Sequence, residues 1–261
     1  MLIIADGRMP EQAHRRLERL GETLLMPPQE YVYRSIAAHP DIFFCQTRDG
    51  FIAAPNAPAE ITEKLVQAGA KIITGQKPVG EKHPETVFYN AVFTDSFFIH
   101  NVGLSDETLL SYAAGKKIVN VTQGYTRCNL LPLSDAAFLC SDKNIEKNLL
   151  RQGVDVLFIR PEEIQLPGVR HGFIGGCCGV FEKTVVIIGS LSRHTQGDEI
   201  RQFLEKNGME TFELYEGPLW DGGGIFFYCV ESPATQQELF NSLRNGEELK
   251  ESVQKICNAF S

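Results

Sequence analysis

The sequence predicts an α/β domain built from five strand-strand-helix-strand repeats closed into a ring, a pseudo-fivefold α/β-propeller. Three observations lead there. Glycine recurs at 21, 69, 115, 153 and 208, each time between an amphipathic helical segment and a short strand rich in β-branched residues. Four of the five helices follow a strand pair with a tight polar turn. The first helix has only one strand before it, and its missing partner lies near the other end of the chain, at 222–230.

Helices are expected over 11–20, 60–68, 106–114, 144–152 and 198–207, each opening with acidic or capping residues such as Asp106 and Asp142. Each recurring Gly is expected to end its helix in the left-handed conformation, which costs Gly no Cβ clash. Strands follow at 22–26, 71–74, 117–121, 155–159 and 210–214. The strand pairs lie at 41–46 and 51–54, 86–93 and 97–100, 128–133 and 136–140, and 173–181 and 184–189. Asp49-Gly50 is a good hairpin turn. An open doubly wound sheet would also alternate strand and helix, but these hairpins are antiparallel and no GxGxxG opens a helix. Pairing of 222–230 beside 2–5 would close the ring and leave no exposed edge. The propeller domain is expected over 1–230. Residues 231–261 are expected to form a tail with helices at 236–243 and 247–260, packed on the same domain.

Composition narrows the function classes. A chain of 261 residues can bury a sizeable core without a metal or disulfide staple. Its formal net charge of −8 disfavours a nucleic-acid partner and is compatible with a small cationic one. The opening residues show no basic stretch followed by a long apolar run, so no signal peptide is expected. Apolar stretches reach about five residues, far short of the roughly 20 that span a bilayer. Seven cysteines with no CxxC pair suit reduced thiols and a cytoplasmic location. No cofactor and no metal are expected. The expected partner is a small-molecule substrate or ligand in the central cavity, with a homo-oligomer possible.

Two stretches carry a resemblance. The run from His171 to Ile188 is similar to a His-x-Asp stretch followed, after a turn, by a Thr-Val-aliphatic strand. The run Asp221-Gly-Gly-Gly224 to Cys229 is similar to a terminal Gly-rich strand that ends in His-Cys. With five ββαβ units, the chain resembles the penteins, the guanidino-group-modifying superfamily of arginine and agmatine deiminases, dimethylarginine hydrolases and amidinotransferases. Phe173 stands where that family has its Asp, and Tyr228 stands where it has the His before the Cys.

The resemblance implies Cys229 as nucleophile and His171 as acid/base. In that chemistry a thiolate attacks a guanidinium carbon, and water or an amine resolves the covalent intermediate. Carboxylates suit the planar cation because two parallel N–H···O bonds match its geometry. Asp41, Asn90, Asn129, Asp221, Gly223 and Cys177 are the candidate substrate-binding residues: Asn90 and Asn129 because polar residues at equivalent strand starts would converge on the ring centre, Asp41 beside His39, Asp221 and Gly223 at the Gly-rich run, and Cys177 in the run of small residues. Cys177 is also a rival nucleophile. His39, held extended by Pro40, either lines the centre with Asp41 or forms a structural pair with it. The run Gly175–Gly179 reads either as a ligand approach or as tight packing. A second function class remains beside the enzyme: a non-catalytic pentein-fold binding protein.

Overall fold

The computed structural model describes residues 1–229 of the chain. The tail expected at 231–261 and its helices at 236–243 and 247–260 lie outside the described residues. The described part begins with β1 (Leu2–Asp6), α1 (Glu11–Leu17) and β2 (Glu22–Met26), where β1 and β2 pair in parallel across the helix. The second unit is α2 (Pro40–Phe43), β3 (Phe44–Thr47), β4 (Gly50–Ala53), α3 (Ala59–Gln67) and β5 (Lys71–Thr74). The third is β6 (Val92–Phe93), β7 (Phe97–His100), α4 (Glu107–Tyr112) and β8 (Lys117–Asn120). The fourth is α5 (Thr126–Asn129), β9 (Leu130–Pro132), β10 (Ala137–Cys140), α6 (Lys143–Leu150) and β11 (Asp155–Phe158). The fifth is β12 (Cys178–Phe181), β13 (Thr184–Ile187), α7 (Gly197–Lys206) and β14 (Glu210–Glu213). Last comes β15 (Phe226–Tyr228), which pairs antiparallel with β1 in the register Leu2↔Tyr228, Ile3↔Phe227, Ile4↔Phe226.

The result is five three-stranded sheets of one design: an inner strand antiparallel to a middle strand, and the middle strand parallel to an outer one. Bonds between neighbouring inner edges run all the way round. Gln46 Nε2 donates to Phe227 O at 2.8 Å, and Cys45 Sγ to Ala91 O at 3.3 Å. Cys128 N donates to Asn90 Oδ1 at 3.2 Å, Arg127 Nη2 to Cys178 O at 3.1 Å, and Ile225 N to Cys178 O at 3.2 Å. The two ends of the described chain therefore complete one unit together, as the sequence predicts.

Local chemistry explains the elements. Asp142 caps α6 by accepting from Asn144 N and Ile145 N, and Ile145 and Leu149 bury one stripe of that helix. Apolar wedges fill the space between sheets and helices. In the largest, Phe51 meets Phe44 edge-on at 6.1 Å and Phe226 at 5.9 Å, which ties the second unit to the closing strand. Burying each such ring contributes on the order of 2 kcal/mol.

Two expectations are corrected. Gly69, Gly115, Gly153 and Gly208 take φ of +85°, +86°, +79° and +70°, but Gly21 is not left-handed. Its small size serves another end: a Cβ there would lie 2.7 Å from Met1 O, where Glu22 N bonds to start the parallel pair. The inner strands are also shorter than expected. The residues at 41–43, 128–129 and 175–177 form single helical turns instead, and at 90 Asn90 N bonds back to Val87 O at 3.1 Å. At the far end, Gly223 and Gly224 have φ of +69° and +83°, so only Phe226–Tyr228 of the expected 222–230 strand is extended. Each inner strand thus begins with a turn that points side chains across the ring axis.

Candidate active site at the ring centre

Five segments meet at the centre. His39-Pro40-Asp41 opens the second unit. Pro40 takes the first helical position, where its missing N–H costs nothing, and holds His39 extended at φ −71°, ψ 122°. Asp41 then sits in the first helical turn. The turn α5 supplies Arg127 and Cys128, and the turn before β6 supplies Asn90. Asp221 comes from the loop before β15, and Asp6 from the end of β1. His39, Asp6, Asp41, Asn90 and Asp221 are all 0% exposed, and Cys128 is buried.

Cys128 Sγ donates to Asp41 Oδ2 at 2.8 Å. Asn90 braces this pair, with Nδ2 3.1 Å from Asp41 O and 3.4 Å from Cys128 Sγ. The His39 ring lies between two more carboxylates: Nε2 is 3.7 Å from Asp6 Oδ2, and Nδ1 is 4.0 Å from Asp221 Oδ1. Asp221 is held by Phe173 N at 2.9 Å and Gly223 N at 3.0 Å, and Asp6 by Arg8 Nε at 3.0 Å. Among the described residues, neither His39 nitrogen nor Asp41 Oδ1 has a hydrogen-bond partner. Fully buried polar atoms left open in this way are costly, and they mark a place built to receive something.

Glycine makes the room. A Cβ on Gly223 would overlap His39 Cβ, and one on Gly176 would overlap the Asp221 carboxylate. Over the cluster, the hydroxyls of Tyr33 and Tyr125 lie 3.0 Å apart, and Thr86 Oγ1 is 2.6 Å from that of Tyr125. Tyr33 is 37% exposed, so this side reaches the surface.

Electrostatics set the resting state. Burial, and then the Asp41 carboxylate, push the Cys128 thiol well above its ordinary range, so it rests protonated. Burial raises Asp41 to about 6 against the bonds it accepts from Cys128 and Asn90, and raises Asp221 to about 6 against the attraction of His39. Burial lowers His39 despite Asp221 and Asp6, leaving a neutral imidazole at pH 7. A cation placed among these groups would favour the carboxylate and thiolate forms together. The ligating atoms of His39, Asp41 and Cys128 all lie within 4.8 Å of one another, so these three could also hold a thiophilic divalent ion.

Residues 4–226 match the profile of DUF6873, a family of unknown function. The chain belongs to that family. No curated protein matches the sequence. Solved structures do match in fold. One is a Cys-to-Ser variant of DDAH from Pseudomonas aeruginosa complexed with citrulline, 15% identical with a TM-score of 0.53, covering 81% of this chain and 91% of that one. A second is SxtG, an amidinotransferase of the saxitoxin biosynthetic pathway from Microseira wollei, at 14% identity and TM-score 0.51, covering 81% and 87%. A third is the inosamine-phosphate amidinotransferase of Streptomyces griseus, at 13% and 0.51, covering 80% and 79%. The fold of this DUF6873 member is therefore the pentein fold, with a Cys and a His side by side at its centre. No helix among the described residues is long and apolar enough to cross a membrane.

The structure sorts the residues predicted for the site. Asp41, Asn90, Asp221 and Gly223 converge. Asn129 is buried on its own turn, with Nδ2 bonded to Tyr125 O at 2.8 Å. Cys177 lies in an apolar cluster with Ile174, Leu191 and Leu219, its thiol 3.2 Å from Phe173 O. His171 stands edge-on to Phe173 at 5.4 Å, beside Gly172, which packs on Asp221. Cys229 is partly buried against the wedge that also holds Met1, Phe212 and Tyr215. It is four residues beyond Ile225, about 13 Å along the strand. Cys229 follows β15, His171 lies in the loop whose Gly172 packs on Asp221, and the thiol that shares the centre with an imidazole is Cys128. Its imidazole is His39, whose signal in the sequence is the His-x-Asp spacing of His39-Pro40-Asp41, which the run at His171 lacks because Phe173 replaces the Asp.

Proposed function

We propose that this chain is a thiol-dependent enzyme acting on a C–N bond of a small guanidinium or amidinium compound, with Cys128 as nucleophile and His39 as acid/base. The observation that supports it best is the 2.8 Å contact of Cys128 Sγ with Asp41 Oδ2, next to a buried imidazole with both nitrogens open. Three buried carboxylates, Asp6, Asp41 and Asp221, stand around Cys128 and His39, and carboxylates suit a planar cation.

Cys128 passes its proton to Asp41, and the sulfur attacks the amidine carbon. Asp41 returns that proton to the departing nitrogen as the C–N bond breaks, leaving a thiouronium on Cys128. His39 takes a proton from water, and the oxygen adds to the same carbon. The C–S bond breaks, the hydroxyl proton of the leaving carbonyl compound goes to sulfur, and His39 gives its proton to the released amine. An acceptor amine in place of water makes the reaction a transfer of the amidino group. The cation is needed for the first step, because the empty site holds the thiol protonated.

A second reading is a binding protein on the same scaffold, favoured by the complete burial of the cluster and the high thiol pKa. Alkylation separates the two. Chloroacetamidine, a cationic amidine, should label Cys128 of the native chain at least about tenfold faster than neutral iodoacetamide, with peptide mapping to locate the adduct. Equal rates, or a Cys128 silent to both until denaturation, would leave the binding reading. Release of ammonia or amine from arginine, agmatine and dimethylarginine then identifies the substrate type.

A further inference from the structure

From the central cluster the inner strands run toward the hairpin turns. There β3, β6 and β9 enclose a cavity of about 330 Å³, with Arg127 in its wall and Arg48 and Lys116 also lining it. Arg127 is 8% exposed. Its Nη1 donates to Gly175 O at 2.6 Å and its Nη2 to Cys178 O at 3.1 Å, with the guanidinium 5.3 Å over the Phe226 ring. A guanidinium carries five N–H donors, so these two bonds leave the fork underused. Among the described residues no carboxylate comes within 4.0 Å of it. Its largest attractive charge, Asp41, acts from beyond that distance, so burial still outweighs attraction and a cation held this way is expensive to keep.

The other charges on the wall point the same way. Lys116 Nζ gives one bond each to Thr94 O at 2.7 Å and Asp95 O at 2.9 Å, and keeps a third donor. Arg48 is exposed. Of the two acids, Asp135 has both oxygens engaged by Ser96, at 3.1 Å from N and 2.5 Å from Oγ. Asp135, held ionised by the Ser96 bonds and by Lys116, and Asp95, exposed in its turn, set two negative charges against three positive ones, so the wall keeps a net positive charge.

We propose that this cavity is a second ligand site, taking a small oxyanion, a carboxylate or a phosphate, with Arg127 as its buried anchor and Arg48 and Lys116 as its outer clamps. The cavity volume falls at the lower end of the range for small-molecule sites. Cys128, His39 and Asp41 are not among its lining residues, so binding at Arg48 and Lys116 stands or falls apart from the chemistry proposed at the centre.

Calorimetry of the full chain with inorganic phosphate and, separately, with succinate tests it. Binding of either at millimolar concentration or tighter is expected, and the one that binds identifies the oxyanion. Arg48→Ala and Lys116→Met should each weaken it about tenfold, with an unchanged melting temperature. Both variants are at partly or fully exposed positions, so folding is preserved where an Arg127 substitution would endanger it. No heat with either anion, or equal affinity in wild type and both variants, overturns the proposal.

Discussion

Cys128 and Cys177 occupy comparable places in two repeats, each on the short helical turn that opens an inner strand. Both are fully buried, and burial raises both thiols well above the ordinary range. Their surroundings differ. Cys128 faces Asp41 across the ring, with Asn90 bonded to both and His39 alongside. Cys177 faces Ile174, Leu191 and Leu219, and its thiol bonds only to the carbonyl of its own turn. Burial alone therefore does not distinguish a reactive thiol from a packing one. Asp221 acts through space on both thiols, so what distinguishes them is a carboxylate bonded to the sulfur with an imidazole alongside, as Asp41 and His39 stand at Cys128.

The largest effect that would break the comparison is on turnover. With a guanidinium or amidinium substrate, Cys128→Ser should lower kcat/KM at least about a thousandfold, as loss of a nucleophile does. Cys177→Ala should leave it within a few-fold. Equal losses in the two variants would mean that the two turns are not chemically distinct.

The next effect is on stability and concerns how tightly the two turns press together. A Cβ on Gly175 would overlap Arg127 O and lie 2.6 Å from Cys128 O, both backbone atoms that cannot swing aside. Gly175→Ala should cost about 3 kcal/mol in urea unfolding, at the upper end for overpacking. It should also lower the labelling rate of Cys128, since the clash pushes α5 off its seat. A neutral variant would show that the contact between the turns is looser than drawn.

Much of this was legible in the sequence, and the limits of legibility are physical. The repeating Gly and the capping Asp142 act within a few residues, so a local pattern reveals them. The rule that polar residues at inner-strand starts face the axis finds Asn90 but also names Asn129, which bonds to its own turn, and Asp221 and Gly223 come instead with the Gly-rich run. The pairing of Cys128 with Asp41 follows from no such rule, because the two are 87 residues apart and meet only when the ring closes. The Gly-rich run before Cys229 drew attention to that thiol. In the structure the run serves close approach instead, with Gly223 against His39 and Gly224 against Arg127. The helical turns at the strand starts were hidden as well, since Asp41–Phe43 and Cys128–Asn129 carry the β-branched and aromatic neighbours of an ordinary strand.

A pH titration sharpens the comparison at the level of charge. Asp41 is raised to about 6 in the folded chain by burial, above its ordinary 3.8. The folded state therefore holds this proton more tightly than the unfolded one. The stability this confers is present below about pH 4 and is lost as pH rises through about 6. By the shift of about two pH units, ionised Asp41 costs roughly 3 kcal/mol above pH 7. Asp41→Asn removes that cost, less what the new amide loses in bonding, and should be about 2 kcal/mol more stable than wild type at pH 8. The gap should shrink as pH falls through about 6 and reverse below about pH 4, where only the lost bonding remains. The lowered His39 works in the opposite sense, its contribution present above about 6.5 and lost as pH falls, but it is common to both chains and cancels in the difference. A gap independent of pH would mean that Asp41 is not the buried acid described here.

The smallest effect belongs to Cys177 itself. Removing its sulfur leaves a small void among Ile174, Leu191 and Leu219 and deletes one weak bond to Phe173 O. Cys177→Ala should therefore cost about 1 kcal/mol, a shift of roughly 2–4 °C in melting temperature for a chain of this size. The same substitution at position 128 removes sulfur from beside a carboxylate raised by burial, and Asp41 loses the bond that steadies it. Its cost should grow with pH as Asp41 ionises, whereas the cost at 177 should stay flat from pH 5 to 8. Parallel melting curves across that range would show that the two thiols are equivalent packing residues, and the distinction drawn from their neighbours would fall with them.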